Sequence, residues 1–512
     1  MNKLARAVVT LTSFSVVDRA LGFVFKIYLS REMGAGGLGI YQVALSFFFV
    51  LMTLTTSGLP LISGKLTAAY DAKGMGRRTD SLVSAGLISG GAISLALIGL
   101  VVALRAPVSS VIGSEEGRAA LYILLPSLLF CSLAAAFRGA FWGKERYATI
   151  SVIELTEQIV RIALCVALFA VGMDKIYAAA LSLAVAMAVS AVATAVCYFA
   201  RGGRLSRPRG EFAPLLSAAM PISVLRASPS LVNSLMAVAV PFLFVTSGYT
   251  DGEAMEMFGA TVGMAMPLLF LPITVIGSLS QAMIPALAKA DAAGDKAEVR
   301  RRAETAIGFS VVVACVFLPL FGGLGAECGE AVYGDARAGE FLRMGSALLL
   351  PIALESVTSS MMNSLGMEKQ GFLNYVIGSA VMFGVMFAFW GRFDADVLCL
   401  ALFVSLTLST ALDVICIRRR TGISLSFLGR AAAAVGLALP CCFLASWTCA
   451  ALRACPLLLA ASVGAVVGCG GTVALYSAFG LMESFVAYGR KKSRHKRRDE
   501  RKNICISLRK RV

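Results

Sequence analysis

The chain is constrained above all by a series of apolar runs, each about 20 residues or longer, that recurs from Leu4 to Met482 with only short polar breaks between them. A helix of that length spans the roughly 30 Å hydrocarbon core of a bilayer, where backbone N–H and C=O groups must bond one another for want of water. The runs are long and continuous, without the period-two alternation of a membrane barrel. Composition agrees. Hydrophobic residues make up 58% of the 512, charged residues only 15%, and mean hydropathy is +0.80, which leaves too little polar surface for a water-soluble globule. The chain reads as an all-α polytopic membrane protein with about 14 transmembrane helices. The opening MNKLARAVV runs straight into the first span with no small-residue cleavage pattern, so it is read as helix and not as a removed leader.

The net charge of +17 is informative through its distribution. With the N-terminus in the cytoplasm, the basic clusters Lys73/Arg77/Arg78, Lys144/Arg146, Arg201/Arg204/Arg207/Arg209, Arg300/Arg301/Arg302, Arg418/Arg419/Arg420 and the tail from Arg490 all fall inside, while Glu115/Glu116, Asp251/Glu253 and Glu327/Glu330 fall outside. An even number of spans then places both termini in the cytoplasm of a cell-membrane protein. The tail GRKKSRHKRRDERKN is expected to engage anionic lipid headgroups, at about 1 kcal/mol per nearby basic residue. It lacks interleaved aromatics and a fold, so nucleic acid is not an expected partner. The 13 cysteines lie mostly within spans and show no metal-ligand spacing, so they are expected to be small apolar packers; no metal or cofactor is expected.

The longest basic linker, RGGRLSRPRGEF, joins spans six and seven and reads as the connection between two halves. The expected organisation is a six-helix lobe over 1–200, a cytoplasmic basic linker over 201–211, a second six-helix lobe over 212–420, two additional helices over 421–488 and a basic tail over 489–512. An internal echo supports two pseudo-symmetric lobes. Span two, YQVALSFFFVLMTLTTSGLPLISGKLTAAYDAKG, and span eight, FGATVGMAMPLLFLPITVIGSLSQAMIPALAKADAAG, share an aromatic start, a long apolar run, a Pro (Pro60, Pro285), a Lys (Lys65, Lys289) and a closing Asp-Ala-x-Gly at Gly74 or Gly294. Repeats of this kind are common in secondary transporters. Pro221, Pro229 and Pro241 in span seven, and Pro267, Pro272 and Pro285 in span eight, mark kinks or hinges. Gly86 and Gly90 fit a helix-packing pattern.

Charges inside the spans carry the functional reading. Asp18, Arg19 and Lys26 lie in the first span, where an unpaired charge costs roughly 2.5–3.5 kcal/mol and therefore faces a bundle interior or a wet cavity. Arg19 and Lys26 are seven residues apart, two turns along one helix face, which makes that stripe basic; Asp18 points about 100° away and is a candidate to neutralise another helix or hold a coupling ion. Arg226 lies in the Pro-broken seventh span beside Ser223 and Ser228. Glu157 and Arg161 have the spacing and order of an intrahelical ion pair, Arg138 is expected to reach cytoplasmic phosphates, and Glu355 and Asp413 stand as lone acids able to take a proton or cation during a transport cycle. Enzyme readings fail on inventory: there is one histidine, His495 in the tail, no phosphate-cradling glycine loop before a Lys-Ser/Thr, and no loop large enough for an active site.

The opening DRALGFVFKIYLSREMGAGGLGIYQVALSFFFVLMTLTTSGLPLISGKLTAAYDAKG and the later GMAMPLLFLPITVIGSLSQAMIPALAKADAAGD resemble polysaccharide-export members of the multidrug/oligosaccharidyl-lipid/polysaccharide flippase superfamily. The nearest likeness is to the stage V sporulation protein B group, related to lipid II flippases. The resemblance implies two six-helix lobes, alternating access and a lipid-linked saccharide diphosphate as cargo, with cavity arginines and lysines meeting the diphosphate. Arg19, Lys26 and Arg31 fall on or beside basic positions of that pattern. Where lipid II flippases carry an Arg in span eight this chain has Pro267, and Arg226 is the candidate to supply the charge instead.

The leading expectation is an alternating-access flippase for an undecaprenyl-diphosphate-linked cell-envelope saccharide, with Arg19, Lys26 and Arg226 as substrate-binding candidates and Asp18, Glu355 and Asp413 as ion-coupling candidates. The alternatives are a cation-coupled multidrug exporter and a non-transporting scaffold that recruits envelope-synthesis enzymes through its tail.

Overall fold

The computed structural model describes residues 3–208, 210–393, 396–423, 426–452 and 454–481, and every regular element within them is helical. Arg209 and the tail with Arg490, His495 and Cys505 lie outside the described residues. The chain divides into two compact units, Met1–Met264 and Ala265–Val512. The first holds α1 Lys3–Thr56, α2 Leu59–Asp71, α3 Gly76–Ala103, α4 Arg105–Ile112, α5 Glu115–Leu124, α6 Ser127–Gly143, α7 Tyr147–Ala170, α8 Lys175–Ala200, α9 Phe212–Thr246 and α10 Asp251–Phe258. The second holds α11 Met266–Leu269, α12 Leu271–Ala292, α13 Lys296–Leu318, α14 Gly325–Tyr333, α15 Ala336–Gly345, α16 Leu349–Ser364, α17 Glu368–Phe393, α18 Asp396–Thr421, α19 Ser426–Ala451 and α20 Leu457–Ala478.

Twelve helical stretches among the described residues are long and apolar enough to cross a membrane. One of them, Val16–Asp71, contains a break inside α1 at Gly34, whose φ of 68° and ψ of 179° are not helical. Apolarity alone leaves out α7, because Glu154, Glu157 and Arg161 interrupt its middle. With α1 counted as two spans and α7 added, the total is compatible with the fourteen expected from sequence.

Helix starts are fixed by polar caps that satisfy otherwise orphaned N–H groups. Ser114 accepts from the Gly117 N–H, Asp174 from those of Ile176 and Tyr177, and Thr250 and Glu253 form a reciprocal capping box at α10. The echo noted in the sequence appears in local geometry. Gly74 and Gly294 both take positive φ, of 68° and 70°, and donate to the Asp71 and Asp291 carbonyls at 2.9 Å; α3 and α13 each begin two residues later.

Small residues set how closely helices pack in the first unit. A Cβ on Gly39 or Gly259 would collide with backbone of Met255 or Ala35, so the second half of α1 meets α10 in near backbone contact. Gly86 and Gly90 bear out the packing expectation: added Cβ atoms would lie 3.1 Å from Ala136 Cβ and from Leu59 Cδ1. Pro221, Pro229 and Pro241 are accommodated inside an unbroken α9, whereas Pro267 sits in the first turn of α11, directly after a π-helical turn over Gly259–Ala265. Cys165, Cys315 and Cys441 are buried thiols among the apolar side chains, as the composition implied.

The linker is tied down on the helices that precede it. Asp80 accepts from the Tyr198 hydroxyl at 2.6 Å and the Arg204 N–H at 3.3 Å; Ser84 Oγ accepts from the Ser206 N–H, and Ser81 bonds Ser206 Oγ at 2.8 Å. At its far end the buried Glu211 accepts from Tyr70 Oη at 2.6 Å and pairs with Arg78 at 3.6 Å, with the Arg78 guanidinium over the Tyr70 ring. The start of α9 is thereby fixed to the α2–α3 turn.

The backbone at Gly34 occupies a region that essentially only glycine tolerates, so Gly34→Val is expected to cost about 1–3 kcal/mol. Thermal unfolding of the purified full chain should show a lowered midpoint; an unchanged midpoint would remove the break from the fold.

Candidate functional site

Polar side chains inside the first unit gather where α1, α6, α7 and α8 meet. The Arg138 guanidinium of α6 pairs with Glu154 Oε1 at 3.5 Å and Glu157 Oε2 at 3.4 Å, both on α7, and with Ser190 Oγ of α8 at 3.3 Å. One cation is thus held between two carboxylates, with Asp18 of α1 close enough to add its field at Glu154. This corrects two sequence expectations: Glu157 pairs with Arg138 and not with Arg161, and Arg138 is occupied by these acids and not free for cytoplasmic phosphates. Distance explains the change. Arg138 and the two glutamates lie at similar depth on either side of the α6–α7 connection, and a partner across an antiparallel helix pair competes with one on the same helix.

Arg161, relieved of Glu157, stacks over the Phe25 ring at 5.0 Å and donates to the Tyr41 hydroxyl. It lies within electrostatic reach of Lys26, so this part of α1 and α7 concentrates two positive charges. Gly22, one turn before Lys26, faces α7: a Cβ there would lie in ordinary contact, 3.6 Å from Gln158 Nε2. The nitrogens Gln158 Nε2, Arg161 Nε and Arg138 Nε are buried without a hydrogen-bond partner. Unused donors of this kind mark a cluster that does not satisfy itself.

Of the substrate-binding candidates, Lys26 is half-buried and Arg19 exposed on α1, and Arg226 is exposed on α9. None of the three forms a salt bridge among the described residues. All three belong to the same compact unit, since α9 packs on α1 through Thr53 and Ser230, whose hydroxyls lie 3.1 Å apart, and Ser223 accepts from the Gly58 N–H at 3.0 Å. Asp18 is half-buried beside Arg19.

In the second unit the two acids read as lone are brought together. Asp413 of α18 is 2% exposed and accepts from Asn374 Nδ2 of α17 at 2.7 Å and from Thr358 of α16, while Glu355 of α16 accepts from Thr410 Oγ1 of α18 at 3.2 Å. The Asp413 carboxylate lies within electrostatic reach of Glu355, and neither acid is in a salt bridge among the described residues. Two carboxylates, a carboxamide and two hydroxyls form an oxygen-rich set suited to a proton or a hard monovalent cation. No group of three or more His, Cys, Asp or Glu with metal-holding geometry occurs among the described residues. Sequence reading passed over Asn374, Thr358 and Thr410. A signal existed: Asn374 and Asp413 lie about twenty residues either side of one connection, hence at matching depth on antiparallel neighbours.

Residues 4–291 match the family model described as polysaccharide biosynthesis protein. Stage V sporulation protein B of Bacillus subtilis (strain 168) is 27% identical over 401 residues, which cover 74% of this chain and 76% of that protein. Among solved structures, the lipid II flippase MurJ in an inward closed conformation superposes with a TM-score of 0.70 at 13% identity, covering 92% of this chain and 99% of that one. The inward-facing conformation of a multidrug resistance MATE family transporter of the MOP superfamily superposes with a TM-score of 0.68 at 13% identity, covering 81% and 98%. At such identity the two superpositions establish likeness of fold.

Arg138 serves two acids at once, so Arg138→Ala is expected to destabilise the protein by about 2–3 kcal/mol, below the 3–5 of a fully buried pair because the side chains are 26%, 45% and 24% exposed. Adding Glu157→Gln should recover part of the loss; unfolding midpoints of the single and double variants check this, and strict additivity would argue against the bridge.

Proposed function

The chain belongs to the polysaccharide biosynthesis protein family, and on that premise we propose that it is a flippase for a lipid-linked saccharide precursor. The observation that carries the reading is the trio Arg19, Lys26 and Arg226: cations of one unit on helices long and apolar enough to span a membrane, none held in a salt bridge among the described residues. A charge at bilayer depth needs water or a counter-ion, and a diphosphate headgroup supplies the counter-ion in a form that guanidinium and ammonium groups bind through charge-assisted hydrogen bonds. The proximity of Arg161 to Lys26 strengthens the positive potential there. The relatives support the same class, one bearing the name stage V sporulation protein B and one of similar fold being a lipid II flippase.

In its finer form the proposal is an undecaprenyl-diphosphate-linked envelope saccharide carried from the inner to the outer leaflet of the cell membrane by alternating access. On this reading both termini are in the cytoplasm, a placement that the distribution of basic clusters supports. Glu355 and Asp413, bonded by neutral donors among the described residues, take up and release a coupling proton or cation; Asp18 is a further candidate. The basic tail holds anionic headgroups. A cation-coupled drug exporter shares the fold and would use the same acid pair, but it would have no need of the basic trio.

Depletion in cells should cause a lipid-linked saccharide to accumulate in the inner leaflet, and restoring the wild-type chain should clear it. Arg19→Gln, Lys26→Gln and Arg226→Gln are each expected to lower the rate of clearance about tenfold, the equivalent of about 1.4 kcal/mol for a lost charge-assisted contact. A drug exporter would lose little with these variants, and a scaffold would respond only to removal of the tail. Absence of accumulation, or full clearance by all three variants, would reject the flippase reading.

A further inference from the structure

Away from these clusters, the first unit carries a second basic feature. Where α3 ends, the chain turns at once into the short α4, and α5 then descends from its Ser114 cap. Between them lies an open recess of about 460 Å³ lined by Arg105, Ser109, Glu115, Arg118 and Tyr122. Arg118 reaches from α5 to α4 and donates one terminal nitrogen to Ser109 Oγ at 2.5 Å, while its Nε is buried with no hydrogen-bond partner. Arg105 is exposed, and neither guanidinium is in a salt bridge among the described residues although Glu115 lines the same recess.

A buried, ionised donor left without an acceptor is costly, and two guanidiniums against one carboxylate leave the recess net positive. Planar guanidinium forks match phosphate oxygens in paired hydrogen bonds, and the Ser109 and Tyr122 hydroxyls add neutral donors beside them. The volume fits a small headgroup and is too small for a long glycan. Val102, Leu104 and Val111 are exposed apolar side chains at its border, a surface on which acyl or prenyl chains would lie.

We propose that this recess binds the phosphate of a lipid headgroup, with Arg118 and Arg105 as its anchors. It lies at the end of α3 opposite Lys73, Arg77 and Arg78; only the assignment of that end to the outer leaflet rests on the orientation proposed above. The phosphate belongs either to a bilayer phospholipid or to a prenyl diphosphate, two sources of one chemistry.

Binding is measured on the purified full chain in detergent by thermal shift, with dihexanoyl phosphatidylglycerol, farnesyl diphosphate and inorganic diphosphate as probes. At least one lipid probe should bind saturably, with apparent Kd raised tenfold or more by Arg118→Gln and about fivefold by Arg105→Gln. Arg105 has an exposed side chain, so its variant keeps the test open if Arg118→Gln fails to fold. Preference for the phosphatidylglycerol names a bilayer lipid; preference for the farnesyl compound, shared in part by inorganic diphosphate, names a diphosphate. Diphosphate bound as the transport proposal requires weakens with Arg19→Gln, whereas binding in the recess is the part that weakens with Arg118→Gln and Arg105→Gln, which separates the two proposals. No saturable binding of any probe, or affinities unaltered by both recess variants, overturns the assignment.

Discussion

Ionised groups are costly in hydrocarbon, and that cost organises the interior of both units. Arg138 illustrates it most directly. A guanidinium at the contact of three helices collects two carboxylates and a serine hydroxyl, and in doing so fixes α6, α7 and α8 to one another where apolar packing alone would allow them to slide. Association of helices in lipid has no large hydrophobic drive, so such polar ties and the glycine contacts at Gly39, Gly86 and Gly259 share the task of specifying one arrangement. The second unit uses neutral donors instead: Asn374, Thr358 and Thr410 hold Asp413 and Glu355 through hydrogen bonds and not through ion pairs.

This contrast between the units matters for function. In the first, two acids and one base are paired while Arg19, Lys26 and Arg226 form no salt bridge among the described residues; in the second, Glu355 and Asp413 form none either. An anionic cargo and a cationic driver would each have groups of the right sign, on separate compact bodies of one chain. Family membership and likeness of fold are what the relatives themselves establish.

Helical class and membrane character were readable from apolar run length, because in lipid the backbone has few other ways to close its hydrogen bonds. The repeat was readable too, down to the glycines that end matching helices at Gly74 and Gly294. Partner choice was not. Spacing along one helix favoured Glu157 with Arg161, yet Arg138 on the neighbouring helix prevailed, since composition does not disclose which faces of two helices meet. Glu355 and Asp413 appeared solitary for the same reason: residues 58 positions apart become neighbours only once α16 and α18 are packed. The ties that hold Arg204 and Glu211 were likewise hidden, because Asp80 and Tyr70 give no local sign that they receive them.

That anchoring has a geometric corollary. With Ser206 held by α3 and Glu211 held by Tyr70, the length of chain between them sets the rotational phase of α9. One residue gained or lost there must be absorbed as a local bulge, or else it turns the whole helix by about 100°, carrying Arg226 to a different side. Between these two ties the number of residues is therefore as much a part of the design as any side chain, although the sequence there reads as slack.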